Sequence, residues 1–175
     1  VDGYYKELCK IFVPRLSTNG GPILAVALEN EFGGVANDIP YLNKLAEILT
    51  KYGVDVPYYT TDGAEQQMLR LGTTDDCIME GLNYRAVPGP AKNVLKFHEA
   101  MNPDRPFFVG ELWAGRAIYW GDPFSYRKPE ETSEAYREAL ELGAYVNFYM
   151  FAGGTNFGPM SGGVVGYSFA PRPGT

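Results

Sequence analysis

The fold is decided by the stretch Gly20-Gly21-Pro22-Ile23-Leu24-Ala25-Val26-Ala27-Leu28-Glu29-Asn30-Glu31-Phe32-Gly33. Its apolar run, residues 23–28, ends abruptly in two acids and an amide, which are followed by glycine. A short continuous apolar run is typical of a strand buried in a parallel sheet. Because an unpaired carboxylate is costly to bury, acids at the end of such a strand indicate a function.

A second strand of the same kind follows later in the chain. Phe107-Phe108-Val109 leads directly into Gly110-Glu111-Leu112-Trp113. Two carboxylates, each at the carboxyl end of a buried parallel strand, form the arrangement that glycoside hydrolysis requires. The pattern therefore favours an acid-pair enzyme. The alternative for each glutamate is a buried ion pair or a hydrogen-bonded acid that closes its strand.

Strand-like and helix-like segments alternate along the chain, which predicts a parallel α/β fold. We expect strands at 23–28, 56–60, 78–82, 107–111 and 146–151, and helices near 5–12, 38–52, 64–71, 91–102 and 132–142. The polar residues follow the strands, where open parallel sheets and barrels place their sites. The 175 residues are enough for one ordinary domain.

Composition excludes several classes of function. A net charge of −6 and a pI near 4.8 argue against nucleic-acid binding, because no basic face could neutralise phosphates. No apolar run approaches the roughly 20 residues of a membrane span. One histidine and two cysteines, Cys9 and Cys77, provide neither a metal cluster nor a disulfide framework, although a single disulfide remains possible. The chain starts at Val1, which suggests an internal segment of a protein.

Several acids need separate interpretation. Regular alternation would place Glu29 and Glu31 on the same side of their strand with Asn30 opposite, and this spacing does not choose between the two glutamates. Asp62, followed by glycine, is predicted to form a turn or a helix cap. Glu80 falls inside a strand and is expected to pair with a neighbour. His98 has no second histidine or activated nucleophile to act with, so a serine or cysteine hydrolase is poorly supported.

Three blocks of sequence resemble glycoside hydrolase family 35, the β-galactosidases. They are Gly20-Gly21-Pro22-Ile23-Leu24 through Glu29-Asn30-Glu31-Phe32-Gly33, then Glu111-Leu112-Trp113-Ala114-Gly115 with Tyr119-Trp120-Gly121, and finally Asn147 through Gly158. The resemblance spans almost the whole chain. It implies a TIM (β/α)8 barrel, of which residues 1–175 would form roughly strands 4 to 8, an incomplete catalytic domain.

The resemblance also implies roles for individual residues. Glu31 matches the general acid/base and Glu111 the nucleophile of a retaining mechanism, whose carboxyl groups are expected about 5–5.5 Å apart. Asn30 matches a residue that contacts the sugar near its 2-hydroxyl, and Tyr149 matches a tyrosine near the nucleophile. Glu29 would be supporting. The implied ligand is a terminal β-galactoside, with no metal or organic cofactor.

The chain departs from the family pattern at Arg116, where an aromatic residue is usual, and in its divergent tail. These departures, and the expected absence of the earlier barrel strands, keep two alternatives open: a non-catalytic or vestigial sugar-binding fragment, and a related exo-glycosidase with altered sugar preference. We expect residues 1–175 alone not to hydrolyse β-galactosides. A secreted, periplasmic or lysosomal location is suggested by the resemblance only.

Overall fold

The structure is a computed structural model of the chain. It describes residues 1–65, 68–69, 72, 74, 77, 79–119, 127–151 and 163–166, the backbone alone for 116–119 and 163–166. The chain divides into two compact units, Val1–Gly81 and Leu82–Thr175. Among the helices of these ranges, none combines the length and the apolar character that crossing a bilayer demands.

The described part of the first unit contains two long helices and the first strands of the chain. In order they are α1 Asp2–Phe12, β1 Val26–Ala27, α2 Ile39–Lys51, β2 Tyr58–Gly63 and the start of β3, Met79–Arg85. Strand β1 pairs with β2 in parallel, with Val26 opposite Tyr58 and Ala27 opposite Tyr59. A single 3-10 turn, Phe32–Gly34, follows β1 and carries the chain towards α2.

Helix α2 supplies much of the core of the first unit. The side chain of Asp38 caps it by accepting a hydrogen bond from the backbone N–H of Tyr41 at 3.0 Å. Leu42, Leu45 and Leu49 are 0%, 1% and 2% exposed, and burying each leucine stabilises the fold by about 1.5–3 kcal/mol. These three side chains recur at helical spacing, so the sequence predicted both the helix and its buried face.

The core of the first unit also contains both cysteines. Cys9 of α1 and Cys77 are buried members of one hydrophobic cluster, which includes the buried leucines of α2. Both are thiols rather than a disulfide. This observation answers the question that the sequence left open, and burial raises the pKa of the Cys9 thiol.

The second unit contains the rest of β3 and the remaining elements. In order they are α3 Pro90–Met101, β4 Phe108–Trp113, β5 Arg116–Tyr119, α4 Pro129–Glu141, β6 Tyr145–Phe148 and β7 Gly163–Gly166. Strand β4 lies between β3 and β6 and pairs with β6 in parallel. Strands β5 and β7 form a separate antiparallel pair. In the described residues, strands and helices alternate as predicted, apart from the interval between β2 and β3 and the pair β5 and β7, which the sequence patterns do not predict.

Some predicted boundaries are wrong. The strand expected at 23–28 is regular only at Val26–Ala27, and Leu24 is 73% exposed. The last long helix begins at Pro129 rather than after Thr132 or Ser133, because proline favours the first helical position and Glu131 accepts a hydrogen bond from the backbone N–H of Lys128 at 3.3 Å. Thr132 is therefore a buried residue of the first turn.

Three predicted features fall wholly or partly outside the described residues. They are the helix expected at 64–71, the Trp120-Gly121 end of the second block that resembles the family, and the end of the third block after Phe151 with the tail that follows it. These remain predictions.

Candidate active site

The segment after β1 has an unusual backbone. Glu29 and Glu31 have φ values of 61° and 49°, in the left-handed region. A non-glycine residue held there costs about 1–3 kcal/mol, and such residues cluster at functional sites. Asn30 lies between the two strained glutamates and is exposed. No sequence pattern indicates this strain, because glutamate is not a residue that favours a positive φ.

The ladder between β1 and β2 contains one additional residue at this segment. Val26 N–H donates to Pro57 O and Leu28 N–H to Tyr59 O, advancing two residues on both strands. The next bond to β2, at 2.7 Å, reaches Thr61 O from Glu31 rather than from Asn30. The regular strand on which the predicted placement of Glu29 and Glu31 depends is therefore interrupted between them.

Glu29 is bound to helix α2. Its carboxylate oxygen Oε1 accepts a hydrogen bond from the hydroxyl of Tyr41 at 2.5 Å. This bond, with burial and the charge of Glu29, raises the pKa of Tyr41 to about 12. The ring of Tyr41 also lies against Phe32, with 5.4 Å between the ring centroids. The hydrogen bond from Tyr41 connects Glu29 to α2, and this contact distinguishes Glu29 from Glu31.

Asn30 contacts the neighbouring strand rather than α2. Its Oδ1 accepts a hydrogen bond from the Thr61 hydroxyl at 3.3 Å. Because this bond involves the oxygen, the NH2 group is the part of the Asn30 side chain that can donate hydrogen bonds.

Asp62 lies behind the same segment, at the end of β2. It is 0% exposed, and its Oδ1 accepts a hydrogen bond from the backbone N–H of Gly33 at 2.8 Å. Its Oδ2 has no hydrogen-bond partner among the described residues. The pKa of Asp62 is raised to about 6, mainly by burial. The hydrogen bond from Gly33 opposes this rise, and the charge of Glu31 adds to it. Asp62 is a strand residue, so its prediction as a turn or helix cap is wrong.

In the second unit, Glu111 lies in a similar irregularity of β4. Val109 is opposite Val146 and Leu112 is opposite Phe148, so β4 has one more residue than β6 across this interval. Glu111 is within that interval, and its Oε2 accepts a hydrogen bond from the Trp113 indole N–H at 2.7 Å. Bulges bend a strand and redirect a side chain, often beside an active site.

Residues of β6 and the following turn support this part of β4. The Asn147 amide donates to Gly110 O at 3.0 Å, and the Tyr149 N–H donates to Leu112 O at 3.2 Å. Tyr149 is therefore brought next to the strand that carries Glu111, and 39% of its surface is exposed. On the other side, the Arg127 guanidinium donates to Trp113 O at 2.6 Å, and burial lowers the pKa of Arg127.

The structure groups the predicted site residues in two sets. Glu31 and Asn30 share the strained segment of the first unit, whereas Glu111 lies on β4 of the second unit and Tyr149 in the turn after the neighbouring strand β6. The sequence analysis did not identify Tyr41 and Asn147 as residues that support the predicted site. The only signal that could have identified them is that each is a polar residue opposite a predicted site residue. No group of three or more His, Cys, Asp or Glu suited to a metal occurs in the described ranges.

Comparison with known proteins gives consistent matches. Residues 1–172 match the family described as "Glycosyl hydrolases family 35". A "Beta-galactosidase" of Xanthomonas manihotis is 39% identical over 160 residues, covering 91% of this chain and 26% of that protein. The "Beta-galactosidase" of Mus musculus is 35% identical, covering 99% and 26%.

Two further comparisons are with another relative and with a solved structure. The "Beta-galactosidase-1-like protein" of Mus musculus is 35% identical, covering 93% of this chain and 25% of that protein. Among solved structures, GH113 beta-mannanase AaManA from Alicyclobacillus acidocaldarius, in complex with ManMIm, has a TM-score of 0.45 at 14% identity, covering 80% and 46%. The chain thus spans about a quarter of the length of the curated relatives it matches.

Proposed function

The chain belongs to family 35 of the glycosyl hydrolases, and from that premise we propose that it carries the two catalytic glutamates of a retaining β-galactosidase. The main support is the geometry around each glutamate. Glu31 and Glu111 both lie where one extra residue interrupts a parallel ladder. The Glu31 backbone N–H donates to Thr61 O, and the Glu111 carboxylate accepts from the Trp113 indole N–H. The relatives named β-galactosidase supply the substrate class.

In the first step, Glu111 acts as the nucleophile. One oxygen of its carboxylate forms a bond to the anomeric carbon of the galactoside while the bond to the leaving oxygen breaks. Protonated Glu31 gives its proton to that oxygen, so the leaving group departs as a neutral alcohol. The Trp113 indole N–H, 2.7 Å from Glu111 Oε2, orients the carboxylate through its second oxygen.

In the second step, water completes the hydrolysis. Ionised Glu31 takes a proton from the water, whose oxygen attacks the anomeric carbon. The ester bond to Glu111 breaks, and the Glu111 carboxylate is restored with Glu31 protonated again. Asn30 donates from its NH2 group to the sugar near the 2-hydroxyl, and the exposed Tyr149 borders the nucleophile.

Covalent trapping tests this assignment directly. The complete gene product that contains this sequence is incubated with a 2-deoxy-2-fluoro-β-galactoside carrying a good leaving group, digested and analysed by mass spectrometry. We expect the added sugar on the peptide that contains Glu111, and none in the Glu111→Gln variant. A label on another carboxylate would refute the nucleophile, and sugar binding without turnover or label would favour a non-catalytic binding protein.

A further inference from the structure

We propose that Asp62 is a positioning residue for the general acid/base, holding the turn next to Glu31 through its hydrogen bond to Gly33. This inference rests on the function proposed above, in which Glu31 moves the proton. Asp62 lies behind the turn and has no assigned role in the reaction.

Two hydrogen bonds to acceptors on β2 hold the turn, one on each side of Phe32. Before Phe32, the Glu31 N–H donates to Thr61 O at 2.7 Å. After Phe32, the Gly33 N–H donates to Asp62 Oδ1 at 2.8 Å. A carboxylate that accepts from a backbone N–H makes a stronger bond than a neutral acceptor. The side chain of Asp62 thus accepts the next hydrogen bond after the β1–β2 ladder, which would otherwise end at the strained Glu31.

The surroundings leave little room for the turn to move. A Cβ added at Gly33 would lie 2.0 Å from Met68 O, and one added at Gly72 would lie 1.8 Å from Asp62 Oδ2. Only glycine fits at either position. The backbone at 68 therefore packs directly against the turn, and the backbone at 72 packs directly against Asp62. The buried Oδ2, which has no hydrogen-bond partner among the described residues, is held by this packing.

Burying an oxygen that lacks a hydrogen-bond partner costs free energy. The presence of the Asp62 carboxylate at this position therefore indicates that it has a function. Misplacing a catalytic group by about 1 Å can cost about a hundredfold in rate. Glu31 has a positive φ, a conformation that persists only when surrounding contacts enforce it. We assign that enforcement to Asp62, whose hydrogen bond falls two residues after Glu31.

The test compares substrates that differ in their need for the acid. Phenyl β-galactoside requires protonation of its leaving oxygen, whereas 2,4-dinitrophenyl β-galactoside does not. In the complete gene product, Asp62→Ala should lower kcat/KM for the phenyl substrate by about tenfold or more and leave the dinitrophenyl value within about threefold. The ratio of the two values is independent of how much of the sample is folded.

Conservative and control variants separate positioning from general damage. Asp62→Asn keeps an acceptor for the Gly33 N–H and should restore the ratio. Thr60→Val changes another buried polar residue of β2 and should not alter the ratio. If Asp62→Ala yields no folded protein, Asp62→Leu, similar in shape to aspartate, is judged by the same ratio.

An equal fall for both substrates, or no recovery in Asp62→Asn, would overturn the positioning role. Failure of the proposed function looks different, because the unmodified protein would then hydrolyse neither substrate.

Discussion

The backbone N–H of Glu31 donates to the carbonyl oxygen of Thr61 at 2.7 Å, one residue later than a regular parallel ladder would place it. The interval that contains Glu111 likewise has one more residue on β4 than on β6. In both places the strand is regular up to a point, and the acid follows where the register changes. A bulge bends the strand locally and redirects a side chain, which suits the roles proposed for Glu31 and Glu111.

The first prediction distinguishes the three glutamates. Glu111→Gln should abolish turnover in the complete gene product, since no nucleophile remains. Glu31→Gln should slow substrates with poor leaving groups by about 10²–10⁴-fold, the usual worth of general acid catalysis. Azide should partly restore turnover of Glu31→Ala with an activated substrate, because the anion attacks without a base.

Glu29→Gln is the matched variant for that experiment. Its carboxylate is bound by Tyr41, so it should lose less activity and show no azide rescue. Azide rescue in Glu29→Ala, absent from Glu31→Ala, would exchange the two assignments.

The second prediction concerns the tie between Glu29 and α2. Tyr41→Phe removes the hydroxyl that donates to Glu29, and a hydrogen bond to a charged group is worth about 1.5–3 kcal/mol. We expect a fall of this size in the free energy of unfolding, measured by urea denaturation. Tyr58→Phe, which loses a contact with Thr50 at 2.9 Å in the same unit, is the control and should cost less. Equal losses would contradict a special role for Tyr41.

The third prediction concerns the orientation of the nucleophile. Trp113→Phe removes the indole N–H that donates to Glu111 Oε2. Because the nucleophile acts on every substrate, kcat/KM should fall by about tenfold or more for phenyl and dinitrophenyl galactosides alike. This uniform loss contrasts with the selective loss expected for Asp62→Ala. A loss confined to the phenyl substrate would show that Trp113 acts through the acid instead.

The fourth prediction is a pH dependence of stability. The pKa of Asp62 rises from 3.8 to about 6 on folding, so between these values the folded state binds more protons than the unfolded state. Stability contributed by the protonated form is present below pH 3.8 and is lost as pH rises through about 6. The full effect is about 3 kcal/mol.

Asp62→Asn cannot ionise, so it should gain stability relative to the unmodified protein as pH rises from 4 to 7. The midpoint of thermal unfolding of the two proteins, measured across this range, gives the comparison. A difference that does not vary with pH would mean that Asp62 keeps its ordinary pKa.

Local patterns determined much of this protein. The leucines of α2 recur at helical spacing, and the apolar run 107–109 marks β4, so the α/β fold followed from periodicity. The family resemblance placed these elements in a (β/α)8 barrel, and the match over residues 1–172 confirms that assignment. The site assignments of Glu31, Glu111, Asn30 and Tyr149 came from the same resemblance and stay predictions. Glu29 and Glu31 could not be separated by spacing.

Tertiary structure decided what the local pattern could not. Asp62-Gly63 has the composition of a turn, yet Asp62 is a buried strand residue, because its carboxylate accepts from the Gly33 N–H and packs closely against the backbone at 72. Glu29 is identified as a supporting residue by the hydroxyl of Tyr41 on α2, which donates to its carboxylate. Apolar periodicity reports which face of an element is buried. The partner of a buried polar group, and the change of register at Glu31 or Glu111, depend on contacts between residues far apart in the chain.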